Sequence, residues 1–353
     1  MSRKVATLLV VSVLFVLLVA TTAFAGGRPE AAAPDQYVIS VAVHPLEYYR
    51  EGPMAMMEYV ERESGGRITF ETFQFPELGS DAEITEMVSI GEIHMGTALA
   101  DAGVGTMMPS AQALTLPFLF PSVDVFVELM DGPFFDEMAQ VMYEESGGTI
   151  RILAAMKSSR RHLYSTKGPV RRPQDLADHA ITMRVMPSPL HVSLWEGLGT
   201  SAVSLPAAER YTALQTGMID ATEGGLMSAW QAGLMEVQEY VTLTNHAFGT
   251  GFIFINEEFF QSLPQDLQQI LIDGAWVAAA YDNENIPKHS EEAMRLMIEA
   301  GIQIIELTPD EHREWQEIAQ PIGLQFLTTD AGLDPAWVER VIDATADAEA
   351  RIR

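Results

Sequence analysis

The residue types that carry most enzyme chemistry are either missing from this sequence or spread singly along it. There is no cysteine, which excludes a thiolate nucleophile and a cysteine-ligated zinc. The eight histidines form no HxH or HExxH pair, and the chain has no GxSxG, GxxxxGKS/T or GxGxxG motif. We therefore predict no catalytic residue, no metal ligand and no cofactor. With 49 acidic residues, two carboxylates could still meet in space, so a secreted hydrolase or lyase with a carboxylate pair stays as an alternative.

Arg184 is the residue whose position best suits binding chemistry. It lies in AITMRVMPSP, where strand alternation places Thr182, Arg184 and Met186 on one face and the Pro-Ser-Pro that follows ends the strand. In open α/β sheets, ligands bind beyond the carboxyl ends of the strands. A guanidinium is planar and permanently charged, so it can hold a carboxylate through two parallel hydrogen bonds. An arbitrary arginine is more often a solvated or structural residue, and the pattern alone leaves both interpretations open.

The first 25 residues have the features of a secretory signal peptide. A basic Arg3-Lys4 pair precedes an apolar run over residues 5–20, and a small-x-small cleavage pattern ends at Ala25. The apolar run is shorter than a membrane-spanning helix needs. We therefore expect cleavage after about Ala25, a flexible leader over residues 26–36 and a periplasmic mature protein.

The charge balance of the chain restricts its partners. Asp and Glu number 49 against 21 Lys and Arg, a net charge of −28, which becomes about −30 when the signal peptide and its two basic residues are removed. Such an excess argues against nucleic acid and anionic lipid as partners. It also opposes an anionic ligand, so a site for one must concentrate positive charge locally. The length allows two domains without disulfides.

Short apolar runs alternate with segments of helical periodicity, which predicts an α/β fold. The chain after Pro264 is mostly helical, and Pro287 is expected to break or kink its first helix. A capping box at residues 308–311 and Asp334 mark the starts of two later helices. The predicted strands are Tyr37–Val43, Ile68–Phe75, His94–Ala98, Ile150–Met156, Ile181–Met186 and Phe252–Ile255. Helices are predicted before Gly65-Gly66, over about 84–91, over 123–142 with a break near 132–133, and over 207–216.

The sequence contains ELGSDAEITEMVSIGEIHMG, LTLPFLFPSVDVFVELMDGP, RHLYSTKGPVRRPQDLADHAITMRV, LGTSAVSLPAAERYTALQTGMIDATEG and LTNHAFGTGFIFINEEFFQSLPQDLQQIL, in that order. Together these segments resemble the extracytoplasmic solute-binding proteins of tripartite ATP-independent periplasmic (TRAP) transporters, in the dicarboxylate-type branch. The resemblance covers residues 37 to about 300. It implies a two-lobe periplasmic-binding-protein-like fold with a ligand cleft and long C-terminal bridging helices. On that basis we expect one lobe from residues 37–158 plus about 250–290, and the other from 159–249 plus about 291–353.

The resemblance also implies roles for particular residues. Arg184 matches the family's carboxylate-clamping arginine, Arg161 a second arginine that reaches the cleft, and Glu83 a polar cleft residue. The family often has asparagine where this chain has Gly224, and a bulky aromatic where it has Ala207. Both departures imply a roomier site and a ligand larger than a four-carbon dicarboxylate, with an apolar or ring-bearing portion.

Three further positions are weaker candidates for ligand contacts. His44 and Tyr48 follow the first strand and could enter the cleft, although aromatic residues there more often pack within a lobe. Tyr211 lies on the helix after Pro206 and faces either the cleft or the core.

Function follows from the resemblance. It implies a monomeric binding protein that closes on a small organic acid and delivers it to a permease made of a small and a large membrane subunit. A monocarboxylate is the default ligand, since one clamp arginine is identified by its position and Arg161 is a second candidate. A binding protein that serves a sensor kinase is a further alternative, and the residues leave the identity of the acid and the coupling ion open.

Overall fold

The structure is a computed structural model that describes residues 36–43, 47–74 and 78–353 of the chain. Within these ranges it contains nine strands and twelve α-helices joined by short 3₁₀ segments. The strands are β1 (Tyr37–Val43), β2 (Ile68–Gln74), β3 (Met95–Leu99), β4 (Ile150–Ser165), β5 (Thr182–Val185), β6 (Ser201–Ser204), β7 (Ala221–Gly224), β8 (Tyr240–Asn256) and β9 (Gln303–Ile305). The helices are α1 (Glu47–Glu63), α2 (Asp81–Ser89), α3 (Val123–Met130), α4 (Pro133–Glu145), α5 (Pro173–Asp178), α6 (Pro189–Gly197), α7 (Arg210–Gln215), α8 (Leu226–Gln231), α9 (Glu257–Ser262), α10 (Gln265–Glu299), α11 (Pro309–Gln325) and α12 (Pro335–Ile352). The predicted α/β class is confirmed.

Two long antiparallel strands form the centre of a single mixed sheet. The order is β2-β1-β3-β8-β4-β7-β5-β6, and β9 pairs with the start of β8. β4 and β8 are 16 and 17 residues long and pair along most of their lengths. The end of β8 pairs with β3, whereas the end of β4 pairs with β7. The two strands therefore join the two halves of the sheet.

The sequence predicts only part of each long strand. Ile150–Met156 and Phe252–Ile255 are recognisable because their residues are apolar and β-branched or aromatic. The other parts, RRHLYS in β4 and TNHAFGT in β8, lack such an apolar run. They are strands nonetheless, and Arg161, His162 and His246 within them are buried. Buried polar residues in the middle of a sheet indicate a functional site rather than a solvent-exposed surface.

Helix starts follow the predicted signals. Thr308 accepts a hydrogen bond from the Glu311 amide, and the Glu311 carboxylate accepts one from the Thr308 amide, so the predicted capping box begins α11. Asp334 caps α12 as predicted. The break predicted near residues 132–133 separates α3 from α4.

Of the break or kink predicted at Pro287, the break is wrong, because α10 continues through that residue for a total of 35 residues. Its first half packs on α1, where Gly274 allows close approach, and Trp276 borders a large apolar cluster around α3 and α4. Ile286 and Met297, in its second half, belong to another apolar cluster, which includes residues of α7 and α8. Burial on both sides of Pro287 holds the helix together where one backbone hydrogen bond is lost.

The last helix packs on α3 and α4. Trp337 Nε1 donates to the Ser110 carbonyl at 3.1 Å, and Arg340 pairs with Glu137 of α4. Val338 of α12 belongs to the same apolar cluster as α3. The residue boundaries of the two lobes stay a prediction, and these contacts favour grouping α12 with the lobe of α3 and α4 rather than with the other lobe.

The crossing of α10 and α1 gives a stability test. A β-carbon on Gly274 would stand 2.5 Å from Val60 Cγ2 and 3.3 Å from Met56 Cγ. Glycine to alanine inside a helix normally adds about 1 kcal/mol of stability. Here we expect Gly274→Ala to lower the free energy of unfolding by about 1–3 kcal/mol in urea titrations, because the helices must separate. Glu291→Ala, on an exposed part of α10, is the control and should change it by less than about 0.5 kcal/mol. A Gly274→Ala variant as stable as the parent would contradict this packing.

Candidate functional site

Arg184 lies on β5, one residue from the end of the strand, as predicted. It is 3% exposed, and its Nε and Nη2 both donate to the Leu205 carbonyl, at 2.9 and 2.6 Å. No described carboxylate forms an ion pair with it. Burial, and next the charge of Arg210, lower the pKa of Arg184 to about 9, so it is still charged at neutral pH. A buried cation held only by a carbonyl is a natural anion-binding group.

Arg210 is a second buried arginine without a carboxylate partner among the described residues, and the sequence analysis missed it. It begins α7, is 7% exposed, and donates from Nε to the Ala207 carbonyl at 3.3 Å. Burial lowers its pKa. A cation is disfavoured in the first turn of a helix because the positive end of the helix dipole lies there. Because arginine is unfavourable at this position, its presence in the sequence indicated that an interaction outside the helix holds it there.

Arg161, the second predicted arginine, is already paired. Its Nε and Nη2 donate to the two carboxylate oxygens of Glu223 at 2.5 and 2.6 Å, and both side chains are buried. Burial would raise the pKa of Glu223, but the charge of Arg161 and contacts with His246 and His191 hold it well below its usual value. The strand order explains this pair. Glu223 is on β7, which lies between β4 and β5 and is therefore next to the strand that carries Arg161. The predicted ligand contact of Arg161 stays a prediction.

A second polar contact joins distant parts of the chain. His191 Nε2 lies 2.7 Å from Asp101 Oδ2, and the side chains are 4% and 9% exposed. Asp101 follows β3, whereas His191 is in the first turn of α6. Burial would raise the pKa of Asp101, but the hydrogen bond and charge of His191 lower it, aided by Arg161. His191 Nδ1 lies 3.8 Å from Glu223, so this contact borders the Arg161 pair.

Several buried polar atoms around these pairs have no hydrogen-bond partner among the described residues. Ser159 Oγ, His162 Nδ1 and Thr222 Oγ1 are examples from β4 and β7. Burial lowers the pKa of His162 to about 3, so this imidazole is neutral. Most buried polar groups in proteins are satisfied. A concentration of unsatisfied groups beside uncompensated arginines is consistent with a site that receives a polar ligand.

Two predicted contacts have local partners. Glu83 is exposed, and its carboxylate accepts hydrogen bonds from the Ser80 amide and hydroxyl in the capping box of α2, which lowers its pKa. The Tyr211 hydroxyl donates to Glu236 at 2.7 Å, and its ring is half-buried against an apolar cluster. Their roles as ligand contacts stay predictions, and neither joins the buried arginines.

The remaining predicted positions divide into two groups. Gly224 is buried beside Arg210, whose Nη1 lies 3.6 Å from the place a β-carbon would occupy. Ala207 is exposed and contributes its carbonyl to Arg210. His44 lies outside the described residues, as does the side chain of Tyr48, whose backbone belongs to α1.

Two features of other protein classes do not occur in the described part of the chain. No described cluster of three or more His, Asp or Glu side chains could hold a metal ion. Across residues 36–43, 47–74 and 78–353, no helix has the length and apolar character that crossing a membrane requires.

The family model and the similar proteins all point to one family, the bacterial extracellular solute-binding proteins. The family model for bacterial extracellular solute-binding proteins, family 7, matches residues 42–329. The chain is 27% identical to the 2,3-diketo-L-gulonate-binding periplasmic protein of Escherichia coli K12, over 70% of this chain and 74% of that one. It is 29% identical to the ectoine-binding periplasmic protein of Halomonas elongata, over 77% and 79%.

A solved structure agrees in fold. The TRAP periplasmic solute-binding protein from Ochrobactrum anthropi, with its C-terminus bound in the ligand-binding pocket, superposes with a TM-score of 0.80 at 27% identity. The match covers 90% of this chain and 97% of that one. The two-lobe periplasmic binding fold predicted from the sequence is thereby confirmed.

The buried Arg161–Glu223 pair gives a prediction about stability. Glu223→Gln leaves the Arg161 charge buried without a counter-charge, and we expect a loss of about 3–5 kcal/mol in the free energy of unfolding at pH 7. Glu137→Gln, which breaks the exposed pair with Arg340, is the matched control and should cost less than about 1 kcal/mol. The Arg161→Met/Glu223→Met double variant should recover much of the loss. Equal small losses for Glu223→Gln and Glu137→Gln in chemical denaturation would refute this view of the pair.

A pH dependence follows from Asp81, which accepts a hydrogen bond from the Leu99 amide at 3.3 Å. Burial, with the Asp101 charge adding to it, raises the Asp81 pKa to about 6. A raised pKa means that this carboxyl group stabilises the fold below the unfolded value near 4 and loses that contribution as the pH rises through about 6. Asp81→Asn should therefore match wild type at pH 4 and gain roughly 1–2 kcal/mol by pH 7.5. Denaturant titrations at both pH values, with exposed Asp343→Asn as control, test this, and a gain that does not grow with pH counts against it.

Proposed function

The chain belongs to family 7 of the bacterial extracellular solute-binding proteins, and on that premise we propose that it captures a small organic acid through Arg184 and delivers it to a TRAP membrane permease. Membership makes it a solute-binding protein of a transport system and not an enzyme. The two buried carboxylates of the site are also committed elsewhere, since Arg161 binds Glu223 and His191 binds Asp101.

The observation that carries the proposal is the state of Arg184. A guanidinium that is 3% exposed and has no ion pair with a described carboxylate lacks the counter-charge that buried cations normally require. A ligand carboxylate supplies that charge and can accept the remaining N–H donors. Selection for anions follows, because a neutral ligand would leave the arginine uncompensated.

The relatives support an organic acid as the ligand class. The Escherichia coli relative is named for binding 2,3-diketo-L-gulonate, and the Halomonas elongata relative for binding ectoine. Both are small polar solutes of the size that a buried cleft between two lobes can enclose. We infer a ligand of the same scale that bears at least one carboxylate.

The transport role adds partners and a location to the proposal. We propose a periplasmic, monomeric protein whose lobes close on the acid and present it to the small and large subunits of the permease. The contact between Asp101, after β3, and His191, in α6, supports closure because it connects segments assigned to different lobes. The proposed signal peptide, residues 1–25, lies outside the described residues.

A ligand screen with variants of Arg184 tests the proposal. Wild-type protein with a bound acid at about 100 times its Kd gains about 2.7 kcal/mol, which a thermal-shift assay detects. We expect Arg184→Met to weaken binding by at least about 30-fold and Arg184→Lys by at least about 10-fold, since lysine keeps the charge without the planar fork. The apo Arg184→Met protein should melt no lower than wild type, because an uncompensated buried charge is removed.

Exposed Arg313→Met is the matched control and should bind like wild type. Arg184→Lys binding as tightly as wild type would refute the clamp. A screen in which no carboxylate stabilises wild type would refute the ligand class.

A further inference from the structure

β8 pairs irregularly with β4 beside one of the buried arginines. Arg161 of β4 pairs with Ala247 of β8. Two residues further along β4, Leu163 pairs with Thr242, which lies five residues back along β8. One residue of β4 therefore faces four residues of β8, 243–246, which we call the bulge. Bulges redirect side chains and are common beside functional sites.

The bulge places the side chain of His246 against the buried ion pair. His246 is 2% exposed, its Nδ1 lies 2.7 Å from the Thr244 hydroxyl, and its Nε2 lies 3.5 Å from Glu223 Oε2. The same carboxylate oxygen accepts the hydrogen bond from Arg161 Nε. A displaced His246 would therefore change the surroundings of the carboxylate that holds Arg161.

Two backbone positions with positive φ meet at the carbonyl group of His246. Asn245, the residue before it, has a φ of 48°, and Phe118, which is distant in the sequence, has a φ of 58°. The Phe118 amide donates to the His246 carbonyl at 2.9 Å. His246 falls outside the paired residues of β4 and β8, and a buried carbonyl in that position needs such a donor. A bulky residue adopts positive φ only where its surroundings impose it.

The side chains around Phe118 explain what imposes this conformation. The buried Phe118 ring belongs to the same apolar cluster as Trp195 and Trp315. Leu116 and Phe120, two residues to either side, belong to the cluster around α3. The segment 116–120 is thus anchored in two clusters at once. This double anchoring offsets the unfavourable backbone conformation at its middle residue.

We propose that Phe118 is a positioning residue of the binding site, which holds the bulge so that His246 stays against Glu223 and Arg161 is fixed in turn. The inference rests on the proposed function, because that function makes the buried arginines a binding site. The ring anchors the strained backbone, the amide fixes the bulge, and the bulge presents the imidazole to the carboxylate. Phe118 needs no contact with the ligand for this role.

Substitutions at Phe118 and Asn245 separate the backbone conformation from the packing of the ring. In ligand-free protein with isotope-labelled histidine and arginine, we would record the NMR signals of the His246 imidazole and the Arg161 Nε–H group. His246→Gln and Arg161→Lys assign them. Phe118→Ala and Asn245→Val should shift both signals, since alanine and valine disfavour positive φ. Phe118→Gly and Asn245→Gly should shift them less, since glycine adopts positive φ without strain.

A ring deletion elsewhere controls for lost packing. Phe134 is buried and stacks on Trp337, so Phe134→Ala should lower the melting temperature while leaving both signals in place. Phe118→Gly should melt no lower than Phe118→Ala, although packing alone predicts the opposite order because glycine leaves the larger cavity and a more flexible unfolded chain.

The outcomes decide the inference without a ligand. Signals that move further in Phe118→Gly than in Phe118→Ala would mean that the ring only packs, and would overturn it. Signals that stay in place in both Phe118→Ala and Asn245→Val would also overturn it. If Phe118→Ala does not fold, the Asn245 pair decides, and equal signals in Asn245→Gly and Asn245→Val refute the role. An acid screen without a hit would refute the proposed function instead, while these signals still report whether Phe118 positions Arg161.

Discussion

Three arginine side chains are buried within electrostatic reach of one another, and among the described residues only Arg161 has a carboxylate partner. An ion that leaves water loses several kcal/mol of solvation, which a partner must offset. Arg161 and Glu223 satisfy that requirement within the protein. Within the described part of the chain, the Arg184 and Arg210 side chains donate only to carbonyl groups, so their two positive charges have no counter-charge there. A protein that binds and releases its ligand needs this imbalance, because a fully paired site would exclude an external anion.

The order of the strands explains why Arg161 has a carboxylate partner and the other two buried arginines do not. Since β7 lies between β4 and β5, Glu223 on β7 can reach Arg161 on β4. The next residue, Gly224, has no side chain to offer Arg184 or Arg210. The long strands β4 and β8 keep this arrangement rigid, because their polar stretches are hydrogen-bonded into the middle of the sheet rather than carried on loops. Rigid placement matters for binding, since misplaced donors lose much of their value.

The sequence predicts the fold better than the site, for identifiable physical reasons. Apolar alternation located β1 and Arg184, and capping residues located α11 and α12, because these signals are local. The end of β4 was not predicted as strand, since burial of RRHLYS depends on partners far along the chain. Arg161 was recognised by resemblance, but its pairing with Glu223 arises from strand order that no spacing encodes. Arg210 gave a local signal, a cation at a helix start, that is meaningful only when its burial is known.

The negative charge of the whole chain and the positive charge of the site act over different distances. A net charge of −28 repels an anion in solution, but at physiological ionic strength that field is screened beyond about 8 Å. Inside the protein the screening is weaker, so Arg184 and Arg210 would dominate the electrostatics of an anion at the proposed site. The net charge of the protein therefore does not speed the association of an anionic ligand. High affinity for such a ligand must then come from slow dissociation. The proposed closure of the lobes would serve that end, because it would remove the water that competes for the guanidinium groups.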